Sequence, residues 1–132
     1  MSTIQPSSFL RGALLVDAVA TAATGLLVAL GAFFLDGLLG LPSRFLVTVG
    51  VLLIPCAALV ARLGMRRTIS PNMVRAVVFL NIAWVAGSVA LLASRVFEPT
   101  LLGVAFVSVQ AIAVAFFAEL QFVGLRRTLA CA

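Results

Sequence analysis

Four apolar runs, each long enough to cross a bilayer, constrain this chain more than any other feature. They cover about residues 9–35, 44–63, 72–93 and 101–125. A span needs roughly 20 apolar residues at about 1.5 Å of rise each. Lipid offers no partner to a backbone N–H or C=O, so such runs must be helices that satisfy their own peptide groups. The chain is 64% hydrophobic, with a mean hydropathy of +1.27, well beyond the make-up of a soluble domain. Its 132 residues leave little besides four spans and short connections. The expected fold is all-α: one polytopic membrane domain over residues 1–132, with four transmembrane helices in a compact bundle.

Breakers mark the connections. DGLLGLP (36–42) and RVFEPT (95–100) read as turns, and Ser70-Pro71 lies in a basic loop between spans two and three. Residues 1–8 form a short polar leader without the basic start of a signal peptide. Pro55 falls near the middle of span two, where it removes one helix donor and frees the carbonyl of Val51, so a packing kink is expected there.

All nine basic residues are arginines. Arg11, Arg62, Arg66, Arg67, Arg75, Arg126 and Arg127 fall on one side of the four-span layout. Arg44 and Arg95 fall on the other, offset by Asp36 and Glu98. By the positive-inside rule both termini face the cytoplasm, and the same arginines suit anionic lipid headgroups. Abundant Ala, Leu, Val, Gly and Arg without lysine suggest a GC-rich genome and a bacterial inner membrane. No soluble basic module exists to present charge to a nucleic acid, which is excluded as a partner.

The chain has no histidine and two cysteines, Cys56 in span two and Cys131 in the tail. The commonest metal and haem ligand is therefore missing, and no C-x-x-C pair occurs. No metal, cofactor or catalytic residue is assigned.

Polar side chains inside the spans are the candidate site. Glu119 lies in span four, seven residues before Arg126, about 10 Å from its level. Asp17 follows Arg11 by six residues and Asn81 follows Arg75 by six, about 9 Å in each case. The expected layer is Asp17, Asn81 and Glu119, with Trp84 as an anchor or cavity wall and Arg62 as a counter-ion. A carboxylate at such depth costs roughly 2.5–3.5 kcal/mol on insertion scales, so it should face protein or water.

Facial spacing refines this picture. Ala18, Ala22, Gly25, Ala29 and Ala32 make a small-residue stripe on span one beside Asp17, Thr21 and Thr24. Asn81, Trp84 and Ser88 share a face of span three. On span four, Ser108, Ala111, Ala115 and Glu119 share one face and Gln110 with Gln121 the opposite one. LGMRRT (63–68) echoes VGLRRT (123–128), and Arg11 with Asp17 echoes Arg75 with Asn81. A duplicated helical hairpin is the simplest source of both echoes.

The leading functional expectation is a non-catalytic accessory or scaffold subunit, interacting with lipids, another membrane protein or its own copies. The alternative is a proton-coupled transporter or ligand-binding protein for a small solute, built on the Asp17, Asn81 and Glu119 layer.

Overall fold

The computed structural model describes residues 3–130, and these form five helices. Four are long and apolar enough to cross a membrane. α1 (Ser8–Leu30) starts at Ser7, whose hydroxyl accepts the N–H of Leu10 and so satisfies one of the orphan donors of the first turn. The chain then bends at Gly31 and continues as the short α2 (Ala32–Leu39). α3 spans Ser43–Met65, α4 Pro71–Ser94 and α5 Leu101–Ala130.

Three expected boundaries change. Span one does not run unbroken to residue 35, because glycine leaves helical geometry at little steric cost and the chain turns there. The helix then resumes through residues 36–39, which read as turn from sequence, and the turn itself contracts to Gly40–Pro42. Gly40 adopts φ +69°, and a Cβ there would stand 2.8 Å from the carbonyl oxygen of Glu98. Only glycine fits both demands. α5 also continues past residue 125 to Ala130, and α3 remains helical through Pro55.

Contacts between the long helices follow one row. α1 lies along α3, α4 lies along α5, and α1 against α5 joins the two pairs. α3 and α4 scarcely touch. The α1–α3 pair is close because Gly50 faces Gly25 and Ala29. A Cβ on Gly50 would come within 2.6 Å of both the Ala29 Cβ and the Gly25 carbonyl oxygen. Backbone approach of this kind is how helices gain dispersion contact where lipid removes the hydrophobic drive.

Both ends of the molecule are tied. At one end Ile4 and Ile69 exchange N–H···O=C bonds of 2.8 Å, and the Ser7 N–H donates to Thr128 Oγ1 at 3.3 Å. There the Arg11 guanidinium also donates to the Gly64 carbonyl at 3.0 Å, placing a cation at the C-terminal turn of α3, where the helix dipole favours it. At the other end Thr100 donates through Oγ1 to the Leu38 carbonyl (2.6 Å) and through its N–H to the Leu39 carbonyl (3.0 Å). Phe45 of α3 packs on Phe97 of the α4–α5 connection, ring centres 5.0 Å apart. Two separate apolar clusters result. One gathers Leu10, Leu14, Leu63, Ile69, Val74 and Leu125, and the other gathers Val28, Ala32, Leu39, Leu46 and Val107.

Candidate functional site

Between those clusters lies a polar network centred on Asp17. Its side chain is 2% exposed. Thr21, one turn along α1, donates from Oγ1 to Asp17 Oδ1 at 3.1 Å. Asn81 of α4 donates from Nδ2 to Asp17 Oδ2 at 3.0 Å and to Gln121 Oε1 at 3.0 Å. Gln121 of α5 donates from Nε2 to Asp17 Oδ2 at 2.6 Å. Three helices thus meet at one carboxylate, and every donor it receives is neutral.

A second network sits further along α4. Trp84 Nε1–H donates to Gln110 Oε1 at 2.7 Å, Gln110 Nε2 donates to Ser88 Oγ at 3.0 Å, and the Ser88 hydroxyl donates to the Trp84 carbonyl at 2.8 Å. The face of α4 that carries Asn81, Trp84 and Ser88 is therefore the one that bonds to α5. Among the described residues no buried side-chain polar atom lacks a partner, as expected where an unpaired group would be costly.

A cavity of about 180 Å³ separates α3 from these networks. α1 contributes Asp17, Thr21 and Thr24 to its wall, and α3 contributes Leu53, Cys56 and Leu59. Leu80, Asn81 and Trp84 come from α4, and Gln110 and Phe117 from α5. Cys56, Leu59 and Leu80 are exposed as well as lining. Together with the sparse α3–α4 contact, this makes the cavity open sideways, through a window between those two helices. Phe45 on Phe97 bounds the window at one end, and the 66–70 loop bounds it at the other.

The sequence-derived site residues divide. Asp17 and Asn81 come together as expected, and Trp84 is half-buried in the cavity wall. Glu119 does not join them. It is exposed, while Gln121 is 0% exposed and occupies the layer. The physical reason is that an amide both donates and accepts, closing the ring with Asp17 and Asn81, whereas a second carboxylate there would only accept. Arg62 is also exposed and is not the counter-ion of Asp17. Arg75 donates to Asn72 Oδ1 at 2.8 Å. Arg126 lies over the Phe122 ring at 5.8 Å and Arg127 over Phe9 at 5.2 Å, while Arg66 and Arg67 are exposed in the loop.

Gln121 carried a readable signal. Val107, Ala111, Ala118, Gln121, Leu125 and Thr128 are all buried and recur at steps of three, four or seven, the spacing of one helix face. Comparison with known proteins finds no matching family model, no matching curated protein and no matching solved structure.

Proposed function

We propose that this chain is a non-catalytic integral membrane protein that binds a small molecule inside the bilayer. One observation carries the reading: a cavity walled by all four long helices opens sideways between α3 and α4 and has Asp17 in its wall. Concave, largely apolar sites with a few placed polar groups are the usual form of a ligand site. Ionisable groups within spans that face a cavity are more often functional than incidental. The Asp17 network supports recognition, because a site whose polar groups are held by one another needs little reordering when a ligand arrives. The expected setting is a bacterial inner membrane, with the arginine-rich end cytoplasmic.

Exposed Glu119 favours a second reading, an accessory subunit. A carboxylate directed at lipid is costly, and a partner helix or another copy of the chain would shield it. The proton-coupled alternative is weakened by the same placement, since only one acid lines the cavity. The two hairpins, α1 with α3 and α4 with α5, are consistent with duplication, and in that scheme Asp17 and Asn81 are equivalent positions that meet.

Native mass spectrometry of the protein released from its own membrane in a mild detergent separates the two readings. Retention of a small molecule that is lost in a Leu53→Trp variant, which fills the cavity, supports ligand binding. A stoichiometric foreign protein with no small molecule supports the accessory subunit and counts against the first reading.

A further inference from the structure

The two oxygens of the Asp17 carboxylate are unequally engaged by the protein. An ionised carboxylate offers about four acceptor positions. Oδ2 receives two donors, from Asn81 and Gln121, and Oδ1 receives one, from Thr21. Oδ1 thus takes fewer protein donors than Oδ2, and Asp17 lines the cavity. No arginine is among its partners. The same cavity also has apolar and aromatic lining, with Trp84, Phe117 and Leu53. Trp84 keeps its indole N–H on Gln110, so its remaining surface is available for contact with a ligand. The volume of about 180 Å³ is slightly larger than an engineered apolar cavity of about 150 Å³ that accommodates benzene.

We propose that the cavity binds a small protonated amine bearing one apolar ring-sized group, which enters from the bilayer between α3 and α4. This rests on the ligand-binding reading above and names the class of ligand. The ammonium supplies one N–H to Asp17 Oδ1 and charge to a carboxylate whose partners among the described residues are all neutral. The ring lies among Leu53, Phe117 and Trp84, where a nearby cation also gains from the indole face. A neutral analogue of the same shape loses the charge-assisted bond, and a quaternary analogue keeps the charge but has no N–H to give.

Trp84 is the single tryptophan, so its fluorescence reports on the cavity alone. The protein is placed in phosphatidylcholine nanodiscs at neutral pH and titrated with N,N-dimethyl-2-phenylethylamine, its N-methylated quaternary salt and neutral 2-phenylethanol. The amine is expected to change Trp84 emission saturably, at least about tenfold more tightly than either analogue, as loss of one charge-assisted hydrogen bond implies. Asp17→Asn should bring the amine down to the level of the alcohol. Should that variant fail to fold, the comparison of the three probes on the wild-type protein still decides.

Equal affinity for amine and alcohol would overturn the amine assignment and leave ligand binding standing. No saturable change with any probe would overturn both. Repeating the amine titration in discs containing phosphatidylethanolamine should leave its affinity unchanged. A tenfold loss there would make the lipid headgroup the occupant and overturn assignment to a free amine.

Discussion

At Asp17 the two carboxylate oxygens are unequally used, and the residue that closes the ring is Gln121. Replacing Gln121 by leucine keeps the volume but removes a donor from Asp17 and an acceptor from Asn81. The expected loss is about 1–3 kcal/mol, read as a lower melting midpoint in detergent. Glu119→Gln changes an exposed side chain and should stay within about 0.5 kcal/mol of wild type. The reverse ranking would return Glu119 to the layer. Asp17 and Asn81 were legible because each stands six residues from a flanking arginine, which fixes depth. Gln121 is less conspicuous, because its signal lies only in the facial spacing along α5, whereas a charge inside a span stands out by itself. Depth follows from spacing along a helix, but facing depends on neighbours contributed by other helices.

At the scale of elements, α1 and α3 depend on one close crossing. Gly50→Ala would place a methyl 2.6 Å from the Ala29 Cβ, and backbone on the other side prevents relief. The expected cost is about 1–3 kcal/mol. Gly87 in α4 has open space where its Cβ would lie, so Gly87→Ala should be neutral or stabilising by up to about 1 kcal/mol. Thermal unfolding of the two variants side by side checks this, and a tolerant Gly50 would mean that the helices are further apart. The small-residue stripe of Gly25 and Ala29 was visible in the sequence. The bend at Gly31 was not, because the apolar run continues across it without a proline or polar cluster. A single glycine within such a run has no local mark that separates a bend from a packing site.

Over the whole molecule, the arginines sort by end. Arg11, Arg62, Arg66, Arg67, Arg75, Arg126 and Arg127 lie at the end where Ile4 meets Ile69, and Arg44 and Arg95 belong to the end where Phe45 meets Phe97. A C-terminal green fluorescent protein fusion should therefore fluoresce and a C-terminal alkaline phosphatase fusion should be inactive in bacteria. The opposite pair of results would invert the topology. Four spans could be read from hydropathy alone, but the open side could not. If the hairpins are duplicates, the α1–α5 contact corresponds to an α3–α4 contact, and it is the latter that is nearly absent. The pinned segment before α1 has a consequence for biogenesis. Ile4 finds its partner at Ile69 and Ser7 at Thr128, so the first tie can form once α3 has been made and the second only after α5. Protection of this stretch from an added protease would then rise in two steps, one after α3 and one after α5.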